Sequence, residues 1–153
     1  KSGDLALNNS GYGSQAVATP STWYTWNDGG IEFAGARLMI GKTPESIIGM
    51  IQMQGHASTA TNQGLITNNT PLGKIKSITL SLGDSSSESY QYTPAFTVYG
   101  GTEANALTTA ITESGNKFNP TFDFSGGNFS HFTIKNDKTG ALYISKITVV
   151  YEK

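Results

Sequence analysis

The stretch FNPTFDFSGGNFSHFTIKNDKTGALYISKITVVY, residues 118–151, has the spacing of three β-strands separated by two turns. Apolar residues alternate with polar ones in the first two runs, and the third run, 144–150, is rich in β-branched residues. This period places side chains alternately on a core face and a solvent face. Turn-forming Gly, Asn and Asp fill the intervening segments. The stretch predicts three antiparallel strands, each buried on one face.

The same alternation extends upstream, most clearly in 74–82, where Ile78, Leu80 and Leu82 share one face. Further short runs are 4–7, 22–26, 31–33, 37–40, 48–54, 63–67 and 96–99. We expect the segments 83–89 and 113–116 to be turns, and the glycine pairs 100–101 and 126–127 to be hairpin turns or bulges. No stretch sustains a helical period. The chain therefore predicts an all-β fold with almost no helix, an antiparallel β-sandwich of jelly-roll type.

Composition limits the classes of function. At 153 residues the chain suits a single domain, residues 1–153, with a real core. A net charge of −1 gives no basic surface for nucleic acid, and no apolar run is long enough for a membrane helix. The chain has no cysteine, which excludes disulfides and thiolate sites. A Cys-free domain rich in Ser, Thr and Asn favours a module excised from a longer secreted bacterial protein, monomeric when isolated.

Two pairs of segments carry a family resemblance. They are KIKSITL at 74–80 followed by FTVYGGT at 96–102, and FTIKN at 132–136 followed by ALYISKI at 141–147. Together they resemble the galactose-binding-like β-sandwich (jelly-roll) domains of the bacterial carbohydrate-binding-module type. The resemblance implies a non-catalytic, extracellular or cell-surface module that binds a polysaccharide. Such domains often carry a structural calcium ion, so we keep calcium as the candidate cofactor, although no acidic loop here marks its ligands.

The aromatic stretch Trp23, Tyr24 and Trp26 is the first candidate binding site. Sugar rings stack their apolar C–H faces on exposed aromatic planes, and neighbouring polar groups bond the hydroxyls. In a strand Trp26 shares a face with Tyr24, whereas Trp23 points to the other side. We expect one face to be core and the other exposed. The alternative is that all three rings are core or loop anchors.

Four more residues complete the candidate ligand-binding set: Tyr90, Tyr92, Arg37 and Gln52. The two tyrosines share one face of a strand beside a polar loop, while the arginine and glutamine offer hydrogen bonds to sugar hydroxyls. For the tyrosines the alternative is an ordinary edge strand, and for the polar pair a solvated side chain.

Catalytic patterns are weak by comparison. Glycosidases need two carboxylates across a cleft, and the acidic residues here are scattered among turns. His56 and His131 lie in no nucleophile motif and have no short-spaced metal-binding partner. We therefore expect no enzymatic activity. The second hypothesis is a structural or adhesive domain of a surface or phage particle, which binds a protein or acts as a spacer. The third hypothesis is a hydrolase.

Overall fold

The computed structural model describes residues 23–40, 51–82 and 96–153. These residues form twelve β-strands in two antiparallel sheets. Sheet A has the order β1 (Tyr24–Asp28), β2 (Ile31–Ala36), β5 (Leu65–Asn68), β11 (His131–Lys135), β7 (Thr97–Gly101), β8 (Thr109–Ala110). Sheet B has the order β3 (Leu38–Ile40), β4 (Ile51–Met53), β12 (Leu142–Glu152), β6 (Lys74–Leu82), β10 (Asn119–Asp123), β9 (Glu113–Asn116).

The predicted all-β, antiparallel class is confirmed. Within the described ranges, helical structure is limited to one 3₁₀ turn at Ala60–Asn62. The jelly-roll topology stays a prediction. The strand predicted at 4–7 and the turn predicted at 83–89 lie outside the described residues.

The core lies between the two sheets and is built by the predicted alternation. In sheet A, Ile66 pairs with Ile134, which pairs with Val98, and all three are buried. In sheet B, Ile78 pairs with Phe122 on one side. These residues belong to one apolar cluster drawn from both sheets. Burial of matched apolar faces is thus the main source of stability.

The three C-terminal strands exist as predicted, but they do not pair with one another. β10 and β12 lie in sheet B, whereas β11 lies between β5 and β7 in sheet A. The Gly126-Gly127 segment therefore crosses between sheets, and its prediction as a hairpin turn or bulge is wrong. The same prediction is wrong for Gly100 and Gly101, which end β7 in regular register with β11.

The prediction that each of these strands is buried on one face is wrong for β11. Phe132 and Ile134 face the core, yet Thr133 on the opposite face is also fully buried. Its cross-strand neighbour Thr67 is buried too, and the backbone N–H of Asn105 donates to the Thr67 hydroxyl at 3.0 Å. The segment after β7 therefore covers the outer face of sheet A here, which explains why small hydroxyl residues occupy it.

The predicted turn at 113–116 is a strand, β9, paired with β10. The turn begins at its last residue, Asn116, whose side-chain oxygen accepts from the backbone N–H groups of Phe118 and Asn119, both at 2.9 Å. An Asn side chain that bonds the backbone two residues ahead is typical of turns. The chain does turn in this region, but the turn follows β9 and does not occupy residues 113–116.

Phe132 gives a direct test of the core. Its ring is 1% exposed in the central strand of sheet A. Phe132→Ala should lower the free energy of unfolding by about 3–5 kcal/mol, because it removes buried apolar area and leaves a cavity. Urea denaturation measures this. Val150→Ala, at a residue 52% exposed, is the control and should stay within about 0.5 kcal/mol of wild type; similar losses in both variants would contradict this assignment of the core.

Candidate functional site

Both tryptophans of the predicted aromatic site are buried. Trp23 is 6% exposed and packs with Ala34, Ala36 and Leu65. Trp26 is 8% exposed and stacks on Phe33, with ring centroids 5.7 Å apart. The two indoles lie on opposite faces of the chain, as alternation requires. The strand does have one exposed face, as expected, but both indoles are buried, so neither offers an open plane for a sugar ring.

The other predicted site residues that the structure describes lie on three different segments. Tyr24 is half-buried against the main core. Gln52 is buried in β4 opposite Tyr143. Arg37 has a left-handed backbone, φ 55°, at the step from sheet A to sheet B, and its Nε donates to the Thr61 carbonyl at 2.8 Å. Tyr90 and Tyr92 lie outside the described residues.

A different surface has the form of a binding site. At one end of the sandwich an open cleft of about 310 Å³, here named the end cleft, lies between three loops. Its lining residues are Pro71, Leu72, Gly73, Thr102, Asn128, Phe129 and Ser130. One part of the lining is apolar and aromatic, and the rest offers amide and hydroxyl groups. Small-molecule sites usually combine such surfaces.

Backbone hydrogen bonds fix the floor of the end cleft. The N–H of Leu72 donates to the Ser130 carbonyl at 2.9 Å, and that of Ile75 donates to the Phe129 carbonyl at 2.8 Å. Ser130 in turn donates its N–H to the Gly101 carbonyl at 3.0 Å. The segments leading into β6 and β11 are thereby joined, so the two sheets are tied together directly beneath the cleft.

The buried side chain of Asn68 holds the same loops from inside. Its amide nitrogen donates to the Thr70 and Ser130 carbonyls at 2.8 and 3.0 Å. Its oxygen accepts from the backbone N–H of Phe132 at 2.8 Å. Because Asn68 has no exposed surface, these bonds are sheltered from water. The cleft is therefore pre-shaped before any ligand arrives.

The aromatic wall of the end cleft is Phe129. Its ring meets Phe124 edge-on, with centroids 5.7 Å apart. Gly100 and Gly127 make room for it: a Cβ on Gly100 would lie 2.8 Å from the ring, and one on Gly127 would overlap it. The two glycine pairs singled out in the sequence thus allow close packing of a phenylalanine ring.

Asp123 shapes the turn that leads to Asn128. Its carboxylate accepts from the backbone N–H of Ser125 at 2.8 Å. Hydrogen bonds from the side chain and backbone of Ser125 hold the pKa of Asp123 below its usual value. The carboxylate is therefore ionised at neutral pH and keeps its role as acceptor in the turn.

Ser130 and His131 form the chemical centre beside the end cleft. The Ser130 hydroxyl lies 2.9 Å from His131 Nδ1, and the imidazole is 7% exposed. Burial lowers the pKa of His131, although the Asn69 and Thr102 backbone carbonyls and the Glu103 carboxylate favour the protonated ring. Burial is the largest cause, so the ring is neutral at pH 7.

The end cleft is electrically neutral at its surface. None of its seven lining residues has a charged side chain. This composition suits an uncharged, hydroxyl-bearing ligand better than a phosphate or a carboxylate, which would call for cationic groups. It also lacks the facing carboxylates of a glycosidase.

Metal binding has limited support among the described residues. No group of three or more His, Cys, Asp or Glu side chains comes together in them. Side-chain oxygens of Asn136 and Asp137 are buried without a partner. Asn136 points toward Met53 of the opposite sheet, where its amide donates to the carbonyl at 3.2 Å, whereas Asp137 accepts from the Thr97 hydroxyl at 3.1 Å.

Sequence reasoning missed the end cleft because its residues read as turn formers. The segments NNTPLG at 68–73 and SGGNFS at 125–130 contain turn-forming Asn, Gly, Pro and Ser. The available signal was their position, since both precede strands predicted to be core. Only the pairing of those strands in different sheets brings the two turns together.

Comparison with protein-family models, curated proteins and solved structures finds no match to this chain. In the described ranges no helix has the length and apolar character needed to cross a membrane.

Asn68 provides a test of the pre-shaped cleft. Asn68→Ala should lower the free energy of unfolding by at least about 2 kcal/mol, because buried backbone groups lose their partners. Hydrogen exchange at the Leu72 amide should also become faster. Asn119→Ala, an exposed asparagine that accepts from Ser81, is the matched control. Unchanged exchange at Leu72 in Asn68→Ala would contradict the bracing role.

His131 predicts a pH dependence of stability. Because its folded pKa lies below the ordinary 6.5, the unfolded chain takes up the proton first as the pH falls. The contribution of neutral His131 to the free energy of unfolding is complete above about pH 6.5. It is lost as the pH falls through the lowered folded pKa. Denaturation midpoints of wild type and His131→Gln between about pH 7.5 and 5 should differ in slope, with a smaller acid loss in the variant. Asn119→Ala, at an exposed position with no titratable group, is the control and should keep the wild-type loss; equal slopes in wild type and His131→Gln would refute the assignment.

Proposed function

We propose that this domain is a non-catalytic carbohydrate-binding module that binds a neutral sugar residue of a polysaccharide in the end cleft. The observation that carries the proposal is the uncharged lining, in which amide and hydroxyl groups adjoin Phe129 and Pro71. A sugar ring presents hydroxyls and an apolar C–H face together, and therefore suits such a lining. This differs from the Trp23–Trp26 platform suggested by the sequence.

Three polar side chains of the lining would make the hydrogen bonds. Thr102 and Asn128 are exposed, and Ser130 is half-buried. They come from the loops after β7 and before β11, which the bonds of Asn68 and Ser130 hold in place. Rigid loops lose little entropy on binding, so a small site of this kind can bind weakly but selectively. Affinity in the micromolar to millimolar range is expected, on the order of −4 to −8 kcal/mol.

The size of the end cleft also fits a small ligand. Its volume of about 310 Å³ is at the lower end of typical small-molecule sites, which begin near ~300 Å³. One sugar residue can therefore be enclosed while the rest of a chain leaves through the open side. An extracellular or cell-surface setting in a bacterial protein, as the family resemblance implies, would provide such a substrate.

Affinity gel electrophoresis on a panel of neutral polysaccharides tests this proposal. Wild type should be retarded by at least one of them, and Asn128→Ala and Thr102→Ala should each weaken binding about 3- to 10-fold, the loss of one hydrogen bond. Thr148→Ala, on an exposed position of β12, is the control and should bind like wild type.

Retention by no polysaccharide, or equal retention of all variants, would overturn the proposal. Trp26→Phe separates this site from the aromatic platform suggested by the sequence. It changes a buried ring, so it should lower stability and leave retention unchanged under conditions in which the variant is folded.

A further inference from the structure

Ser130 is a polar residue of the end cleft, and the hydrogen bonding of its hydroxyl depends on its neighbour His131. Ser130 lines the cleft, and its hydroxyl is 2.9 Å from His131 Nδ1. The Thr102 carbonyl is a more distant partner at 3.5 Å. The hydroxyl has one proton to donate, so the imidazole decides where that proton points.

The surroundings of the ring determine its own proton. The Asn69 and Thr102 backbone carbonyls, which can only accept, lie beside the imidazole. The carboxylate of Glu103, in the segment after β7, is a charged group that favours the protonated ring. On the β2 side, Glu32 accepts from the Asn69 amide at 2.8 Å and so lies behind that residue. A neutral ring has a single N–H to offer these acceptors.

We propose that His131 fixes the hydrogen-bonding polarity of the end cleft: neutral His131 donates Nε2–H to a backbone carbonyl and accepts the Ser130 proton at Nδ1. Ser130 then presents only lone pairs to the cleft. The ligand must donate a hydrogen bond at this point. This inference rests on the proposed sugar-binding function and specifies the group that is recognised, a free hydroxyl or amide N–H.

The alternative protonation reverses the polarity. A ring protonated at both nitrogens donates from Nδ1 to the Ser130 oxygen, and the hydroxyl proton is then free to point into the cleft. Burial opposes this state near pH 7, so it forms only at lower pH. His131 is thus a positioning residue, because Ser130 alone touches the ligand.

Two substitutions separate these roles. In His131→Gln the side-chain oxygen can accept from Ser130 and the amide can donate to a carbonyl, so the neutral polarity is kept without titration. In His131→Leu the near acceptor is lost and only the Thr102 carbonyl at 3.5 Å remains, so the Ser130 proton is free to turn toward the cleft. If His131 were merely structural, wild type and His131→Gln would have the same pH profile of ligand affinity.

The probes are the methyl glycosides of galactose, glucose and N-acetylglucosamine, each with its mono-O-methyl ethers, titrated by NMR. In wild type at pH 7, one ether of a bound glycoside should lose about 5- to 10-fold in affinity, because the ether cannot donate. His131→Gln should show the same loss, and His131→Leu and Ser130→Ala should reduce it to less than about 2-fold. Wild-type affinity should fall between about pH 7.5 and 5, and that of His131→Gln should not.

Nitrogen-15 NMR of the imidazole provides a readout that needs no ligand. The Nε2–H tautomer at pH 7, perturbed in Ser130→Ala, is the expected result. An Nδ1–H tautomer, or ether discrimination that is unchanged in His131→Leu, would overturn this inference while leaving sugar binding intact. If none of the glycosides or polysaccharides binds, the proposed function fails, and the ligand preference fails with it whatever tautomer is observed.

Discussion

β11 lies in the middle of sheet A with both faces covered, so each of its backbone polar groups must find a partner within the protein. Where the ladder to β5 ends, side chains replace it: the Phe132 N–H donates to Asn68, and the Thr67 hydroxyl donates to the Phe132 carbonyl. The residues at either end of the strand bond to segments of, or leading into, the opposite sheet. Before β11 begins, Ser130 accepts from Leu72 in the loop that enters β6, and after it ends, Asn136 donates to the Met53 carbonyl in β4. The sandwich is closed by hydrogen bonds at both ends of one short strand.

The end cleft follows from this requirement. The loops that satisfy the buried strand also line the cleft, so Ser130 both makes backbone hydrogen bonds within the fold and lines the cleft. Asn68 orients the same loops from inside the protein, because its side chain is fully buried. A scaffold of this kind gives a small site with little freedom to rearrange, which favours discrimination among ligands over tight binding.

The fold class was predictable because period-2 spacing needs no knowledge of partners; Ile78, Leu80 and Phe122 are buried as the alternation indicates. The pairing of strands was not predictable, since a turn such as Gly126-Gly127 has the same composition whether it joins neighbours or crosses between sheets. The burial of Trp23 was not predictable for a related reason: Trp23 lies on the outer face of sheet A and packs there on Ala34, Ala36 and Leu65. The end cleft is formed by the turns at 68–73 and 125–130, which come together only after both sheets have formed. No local sequence pattern therefore predicts it.

The order of the strands has a consequence for synthesis on the ribosome. In sheet B, β12 lies between β4 and β6, so Met53 finds its partner Leu142 only after most of the intervening chain exists. Contacts so distant in sequence slow folding, because loop closure must precede the stabilising contacts. Until then β4 and β6 each expose an unpaired edge that can recruit other nascent chains. A chain with this topology should therefore depend on chaperones or dilution during synthesis.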